Sequence, residues 1–209
     1  AFEDQDEHKS REVDFIATKY SEFASGNASF WFFIYGEVKK RSNPIIFFER
    51  KSYERENRET FIPILSTKEY FTPNLNIKNI IEFSEFHHQI KHKFISSQFC
   101  QIIDDKKADH GGLYESLFLP LLKCIDVEMA RSKNLFFKFP SNNSGFLLSI
   151  YLPIIVISGP LYSYDLNNNK LVEKEYILYK RHHASATIRK TLMFDIVTKD
   201  FLPNYIELI

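Results

Sequence analysis

The sequence predicts an α/β domain with a mixed central β-sheet flanked by helices. Strand-like segments lie near both ends of the chain, a helix-like periodicity lies between them, and 44% of the 209 residues are hydrophobic. This order of elements is typical of a mixed sheet covered by helices. Because a chain of this length can bury a sizeable core, we expect residues 1–209 to form a single domain. Residues 51–112 carry no interpretable motif apart from helical periodicity and are a candidate insertion.

Two strands are predicted near the beginning of the chain. In residues 11–20, REVDFIATKY, Val13, Phe15 and Ala17 alternate with residues of the opposite face, as in a strand with one face on a core. The loop SEFASGNAS and the apolar run FWFFIYGEVKK, residues 30–40, follow. We expect the two strands to pair as an antiparallel hairpin because the loop between them is short.

Helical segments are predicted in the middle of the chain. Residues 74–103 have the pattern of an amphipathic helix, and residues 113–133 form a stronger one because apolar residues recur four apart from Leu113 to Ile125. Pro120 is expected to kink or interrupt the second helix.

The remaining elements are mostly strands. A short apolar run, residues 43–50, is one candidate. Residues 144–166 and 170–182 are predicted strands around the turn NNN, and residues 192–202 form a last strand that leads into a short terminal helix.

Charge and cysteine content restrict the function classes. The 27 basic and 27 acidic residues cancel, so no bulk attraction to nucleic acid or membrane is indicated, although a local basic patch is compatible with neutrality. Cys100 and Cys124, without a CxxC pair, suit a reducing cytoplasm and are expected to be buried thiols. The longest apolar run, residues 145–162, is interrupted by polar residues and prolines and lacks the roughly 20 apolar residues of a membrane-spanning helix. We therefore expect a cytoplasmic protein that does not contact a membrane.

The apolar strand of residues 30–40 ends in a group of residues suited to metal chemistry. Glu37 and Lys39 are two apart and share one face of the strand, whereas Val38 is expected to point the other way into the core. Asp14, on the facing strand, is expected to lie beside them. Carboxylates of Asp14 and Glu37 are hard oxygen ligands for Mg²⁺ or Mn²⁺, with the Val38 carbonyl as a candidate third ligand. Lys39 is placed to orient a water molecule and to offset charge on a phosphate.

Asp14 in the lead-in SREVDFIA, followed by Glu37-Val38-Lys39 on the next strand, resembles the PD-(D/E)xK nuclease superfamily. The resemblance implies a restriction-endonuclease-like αβββαβ core and a Mg²⁺-dependent phosphodiesterase. It also implies that Asp14 and Glu37 hold the metal, that Lys39 is the catalytic lysine, and that nucleic acid, most commonly double-stranded DNA, is the substrate. Val13 stands where the motif name has Pro. We expect the first helix of that core to be absent, since the sequence starts close to the first strand.

Other functions remain open. The same fold can be a catalytically silent module that binds nucleic acid or a protein partner. Asp14, Glu37 and Lys39 can also form an ordinary cross-strand ion pair in a purely structural domain. The sequence does not determine the oligomeric state, and a homodimer is compatible with it.

Further candidate residues have weaker patterns. His88 and His92 are four apart on a predicted helix, but without the Glu of HExxH a solvent-facing helix is favoured over a zinc site. His182 and His183 are expected on opposite faces of a strand. No GxxxxGK[ST], GxGxxG or GxSxG pattern is present, which argues against nucleotide-hydrolysing motors and serine hydrolases. Several basic residues would form a phosphate-contacting rim if they lined one cleft, and Tyr53 would be available for stacking. These residues are Lys39, Lys40, Arg41, Arg50, Lys51, Arg55, Arg58, Lys91, Lys93, Lys180 and Arg181.

Overall fold

The computed structural model describes residues 2–4, 9–23, 28–52, 64–66, 94–136 and 146–207. Most of these residues lie in strands, and two helices accompany them. The elements are β1 (Phe2–Asp4), β2 (Lys9–Arg11), β3 (Phe15–Phe23), β4 (Ala28–Lys40), β5 (Ile45–Lys51), β6 (Ile64–Ser66), β7 (Phe94–Asp104), β8 (Lys107–Asp109), α1 (Gly111–Phe136), β9 (Phe146–Ser158), β10 (Leu161–Asp165), β11 (Lys170–Glu173), β12 (Tyr176–Ala184), β13 (Arg189–Thr198) and α2 (Leu202–Glu207).

One large mixed sheet organises the described part of the chain. Its strand order is β11-β10-β5-β7-β12-β13-β9-β4-β3, with β6 beside β9 and β8 beside β7, while β1 and β2 form a separate pair. Strand β9 runs parallel to both β4 and β13, and β3 runs antiparallel to β4. The carboxyl ends of β4, β9 and β13 therefore meet at the same edge of the sheet.

Helix α1 covers one face of the sheet. Its apolar side is fully buried, and the ring of Phe118 packs against the rings of Phe99, Tyr179 and Phe194. The helix continues through Pro120, so an interruption at this residue is excluded, and the alternative expectation of a kink stays a prediction. Burial against the sheet stabilises the helix despite the backbone hydrogen bond that a proline cannot donate.

The opposite face carries the short helix α2. Tyr205 of α2 packs with Ile154, Val156 and Val197, whereas Ile155 and Ile157 belong to the core under α1. Since neighbouring residues of a strand point to opposite faces, β9 is buried on both sides. This double burial explains why its sequence is a nearly continuous apolar run rather than an alternating one.

The predicted mixed sheet and the β3–β4 hairpin are confirmed, but the described chain contains more strand than an evenly balanced α/β domain. The restriction-endonuclease-like arrangement of its core stays a prediction. Residues 94–103, predicted as the end of a helix, form strand β7, so this prediction is wrong; residues 74–93 lie outside the described part. Ile95 and Phe99 of β7 are buried between β5 and β12, and this tertiary pairing prevailed over the helical pattern.

The candidate insertion, residues 51–112, is described only in part. Its last residues provide β7 and β8 to the main sheet, where β7 lies between β5 and β12. The single-domain organisation stays a prediction.

Both cysteines are free thiols. Cys124 is buried, and burial raises the pKa of its thiol to about 12. Cys100 is half-buried, so the expectation of a buried thiol holds fully only for Cys124. Among the helices that the structure describes, neither has the length and apolar character needed to span a bilayer.

Candidate active site

The register of the β3–β4 hairpin brings the predicted site residues together. Phe15, the first residue of β3, pairs with Gly36 of β4. Asp14 precedes Phe15 and Glu37 follows Gly36, so the two acids lie opposite each other one step beyond this pair. On the other side of β4, Glu37 pairs with Ile155 of β9. The site thus lies near the carboxyl end of β4.

A glycine at position 36 permits this close approach. A Cβ atom on Gly36 would lie 2.0 Å from two atoms of the Phe15 ring, so any other residue at this position would require the ring to move. The ring of Phe15 therefore lies directly over the backbone of β4. Gly36 allows the two strands to pack at the point where Asp14 and Glu37 meet.

The three charged side chains form one compact cluster. Lys39 Nζ lies 2.8 Å from Glu37 Oε2 and 3.9 Å from Asp14 Oδ2. The backbone N–H of Val38 donates a hydrogen bond of 2.7 Å to Asp14 Oδ2. One ammonium and one backbone donor thus orient two carboxylates at the end of the strand.

Burial distinguishes the two acids. The side chain of Glu37 is 3% exposed, whereas that of Asp14 is 45% exposed. Burial raises the pKa of Glu37 above its ordinary value of 4.5, and the nearby Asp14 carboxyl raises it further, while Lys39 opposes both effects. Glu37 is the inner group of the site and Asp14 the outer one.

The orientation of Val38 differs from the prediction. Its side chain is 46% exposed to solvent instead of buried in the core, so this expectation is wrong. Glu37 occupies the face that also carries Tyr35 and is covered by α1. Alternation along a strand shows which residues share a face, but tertiary packing decides which face is covered at each position.

The acids of the site fit a metal ion that keeps several water ligands. Among the described residues, no group of three or more His, Cys, Asp or Glu side chains is placed to hold a metal. Asp14 and Glu37 offer two adjacent carboxylates, and their mutual repulsion contributes to the raised pKa of Glu37. Mg²⁺ is commonly bound through one or two carboxylates with water completing its shell. The role of the Val38 carbonyl as a further ligand stays a prediction.

The two histidine candidates that the structure describes, His182 and His183, have partners away from this site. His88 and His92 lie outside the described residues. His182 Nδ1 is 3.0 Å from Thr191 Oγ1, and His183 Nδ1 is 2.9 Å from the hydroxyl of Tyr114 on α1. His182 and His183 thus have different partners, in agreement with their predicted placement on opposite faces of β12.

Among the described residues, only the first members of the predicted basic rim lie near Glu37. Arg50 and Lys51 lie on β5, which is separated from β4 by β7, β12, β13 and β9. At about 4.8 Å per strand, this separation exceeds about 20 Å. Arg181 contacts the ring of Tyr114, with its guanidinium carbon 4.8 Å from the ring centroid. Lys39 and Arg41 are the described members of the set that share the face of Glu37, whereas Lys40 is exposed on the opposite face and does not belong to the rim. Tyr53, Arg55, Arg58, Lys91 and Lys93 lie outside the described part.

Two polar arrangements were missed by sequence reasoning. Arg41 follows Lys39 at strand spacing and reaches Ser116 on α1. Asp195 of β13 is fully buried and accepts hydrogen bonds from Tyr176 and Tyr205. The spacing of Glu37, Lys39 and Arg41 was a usable signal that Arg41 shares their face, but not for its contact with Ser116. The second depends on contacts between separate elements and has no local signal.

No family model matches the sequence, and no curated protein or solved structure was found that matches it. The superfamily suggested by Asp14 and Glu37-Val38-Lys39 therefore stays a prediction. The geometry of the cluster carries the functional argument.

The raised pKa of Glu37 leads to an expected pH dependence of folding. Between pH 4.5 and the raised pKa, the folded state retains a proton that the unfolded chain has lost. The contribution of Glu37 to the free energy of unfolding is therefore largest below pH 4.5 and declines as pH rises through this window. The free energies of unfolding of wild type and Glu37→Gln should be measured with urea at several pH values. As pH rises, we expect wild type to lose stability relative to Glu37→Gln. If wild type keeps or gains stability relative to Glu37→Gln as pH rises, the result would contradict a raised pKa of Glu37.

Proposed function

We propose that the protein is a metal-dependent phosphodiesterase that hydrolyses nucleic acid, with double-stranded DNA as the preferred substrate. The observation that carries this proposal is the cluster of Asp14, Glu37 and Lys39, in which one ammonium lies 2.8 Å from a buried carboxylate and 3.9 Å from an exposed one. Two acids and a lysine at a strand end can combine cation binding with stabilisation of a phosphate.

Asp14 and Glu37 would hold Mg²⁺ or Mn²⁺. Such an ion supplies a Lewis acid for the phosphate and lowers the pKa of a bound water. Asp14 is the accessible ligand because almost half of its side chain is exposed, and the Val38 N–H orients it. Glu37 is the rigid ligand, since it is buried and its strand is paired on both sides.

Lys39 supports the reaction through its charge and position. Its side chain is 30% exposed, and its Nζ lies 2.8 Å from Glu37 Oε2. A phosphate that approaches from solvent would meet this ammonium next to the acids. Lys39 is therefore suited to offset the charge on the phosphate oxygens and to orient the attacking water.

A second candidate function is nucleic-acid binding without cleavage. The observation that favours it is the closeness of Lys39 to Glu37, because an ammonium at 2.8 Å already neutralises the buried carboxylate. In this case the cluster of Asp14, Glu37 and Lys39 would stabilise the end of β4. Binding of nucleic acid would then depend on nearby basic side chains.

Metal-dependent cleavage tests the proposal. Labelled double-stranded DNA, single-stranded DNA and RNA should be incubated with the protein in Mg²⁺, in Mn²⁺ and in EDTA. We expect cutting with either metal, fastest on double-stranded DNA, and loss of cutting in EDTA that excess Mg²⁺ reverses. The activity should co-purify with the 24.7 kDa chain over two different chromatographic columns. A folded protein that cuts none of the three substrates in either metal would contradict hydrolysis and favour binding alone.

A further inference from the structure

Arg41 extends the charged face of β4 beyond Lys39. Glu37, Lys39 and Arg41 are each two residues apart and therefore share a face. Although β4 ends at Lys40, the N–H of Arg41 donates a hydrogen bond of 3.1 Å to the carbonyl of Ser158. A Cβ atom on Gly159 would lie 1.9 Å from the Arg41 carbonyl oxygen, so only glycine permits this contact. The backbone of Arg41 is thus held against the strand next to it.

The side chain of Arg41 is also held in place. Its Nη2 donates a hydrogen bond of 3.2 Å to Ser116 Oγ on α1, and Ser116 Oγ in turn donates one of 3.2 Å to the carbonyl of Leu113. These contacts join the end of β4 to the first turns of the helix. Arg41 is half-buried, so its guanidinium has a defined direction.

The charge of Arg41 lacks a partner among the described residues. No described carboxylate lies within 4.0 Å of its guanidinium, and its buried Nε has no hydrogen-bond partner in this part of the chain. Ser116 is a neutral partner and leaves the positive charge uncompensated. Partly buried charges are normally paired, and a guanidinium presents five donors suited to carboxylate or phosphate oxygens. This arrangement favours an anionic ligand with several acceptor oxygens.

We propose that Arg41, oriented by Ser116, binds a backbone phosphate of nucleic acid next to the phosphate that lies at Lys39. The Cα atoms of Lys39 and Arg41 are about 7 Å apart along the strand, so the two cations can serve separate groups of one polyanion. Asp14 and Glu37 already engage Lys39, whereas Arg41 retains its charge for the ligand. The choice of nucleic acid rests on the proposed function, but phosphate binding at Arg41 does not require hydrolysis.

Salt-dependent DNA binding tests this role. Binding of a short fluorescein-labelled DNA duplex should be measured in EDTA at several salt concentrations for wild type, Arg41→Met and Lys40→Met. Lys40 is the matched control because it is exposed and points to the opposite face. For Arg41→Met, we expect about tenfold weaker binding near 0.1 M salt and a slope of log K against log salt that is less steep by about 0.9, the value for one lost phosphate contact. Lys40→Met should remain close to wild type.

Two further variants separate phosphate binding from a structural role. Arg41→Lys keeps the charge and should recover the salt slope with intermediate affinity, and Ser116→Ala should weaken binding while keeping the slope. If Arg41 only joins β4 to α1, Arg41→Met will lower the melting temperature, but its affinity and slope will equal those of Lys40→Met. That result, or a wild type that does not bind the duplex, would overturn the inference.

The outcomes also distinguish this inference from the proposed function. A wild type with an Arg41-dependent salt slope in EDTA, but without cleavage in Mg²⁺ or Mn²⁺, would support phosphate binding and contradict hydrolysis. A wild type that cuts DNA, with the slope of Arg41→Met unchanged, would support hydrolysis and overturn the role of Arg41.

Discussion

Glu37→Gln is expected to lower metal-dependent cleavage by at least about 10³-fold, because loss of a ligand charge at a catalytic metal removes several kcal/mol of transition-state stabilisation. The substitution keeps the size of the side chain and its place on β4. It removes the negative charge that, together with Asp14, would hold the ion. The rate of cleavage of double-stranded DNA in Mg²⁺ measures the effect directly.

Glu49→Gln is the matched control for this prediction. Glu49 is also a buried strand glutamate with a lysine partner, since its side chain is 9% exposed and its Oε2 lies 3.2 Å from Lys174 Nζ. It belongs to β5, well away from the site in the sheet order. We expect Glu49→Gln to retain cleavage even if it unfolds more easily. Equal activity of the two folded variants would show that Glu37 takes no part in catalysis.

Asp195→Ala is expected to lower the free energy of unfolding by about 3–5 kcal/mol, the usual cost of removing one partner from a buried charged network. Asp195 is fully buried, and it accepts hydrogen bonds of 2.9 Å from the hydroxyl of Tyr176 and 2.7 Å from that of Tyr205. Burial first, and then the charge of Asp195, raises the pKa of both tyrosines well above the ordinary value of 10. Without the carboxylate, each hydroxyl loses this hydrogen bond inside the core, and α2 loses a polar link to β13.

Urea unfolding with two comparison variants tests this role. Tyr205→Phe removes one donor and should cost about 1.5–3 kcal/mol, as for a hydrogen bond to a charged group. Asp126→Ala removes a partly exposed ion pair with Lys190, 2.7 Å between Oδ1 and Nζ, and should cost less than about 1 kcal/mol. If Asp195→Ala costs no more than Asp126→Ala, the buried network does not stabilise the fold.

Local patterns in the sequence were sufficient for much of the fold. The alternation and short loop of residues 11–40 predicted the hairpin, and the i, i+4 pattern from Leu113 to Ile125 predicted α1. Residues 144–166 were predicted as strand, and the structure places β9 and β10 within them. These signals are strong because each depends on the repeat of one element.

Local sequence patterns also predicted part of the candidate site. Asp14, Glu37 and Lys39 were expected together because a strand brings residues two apart to one face and a hairpin places Asp14 opposite them. The structure brings them together, with Lys39 in contact with both acids. The chemistry of the cluster stays a prediction that the cleavage assays test.

The predictions from the sequence were wrong where elements far apart in the chain pack against each other. Residues 94–103 carry a pattern compatible with a helix, yet they form β7 because β5 and β12 lie on either side. Val38 was assigned to the core, but α1 covers the opposite face of β4, which contains Glu37. The partners of Arg41 and Asp195 come from elements far apart in sequence, and no local repeat indicates them.

By itself, the sequence determined the elements with strong repeats, the hairpin that brings Asp14 beside Glu37, and the neutral overall charge. The tertiary structure alone decided that Glu37 is buried while Val38 is exposed, that residues 94–104 join the sheet, and that Arg41 reaches Ser116 on α1. The physical reason is that backbone geometry sets which side chains share a face within one element. Burial, pKa shifts and long-range hydrogen bonds depend on which elements pack against that face.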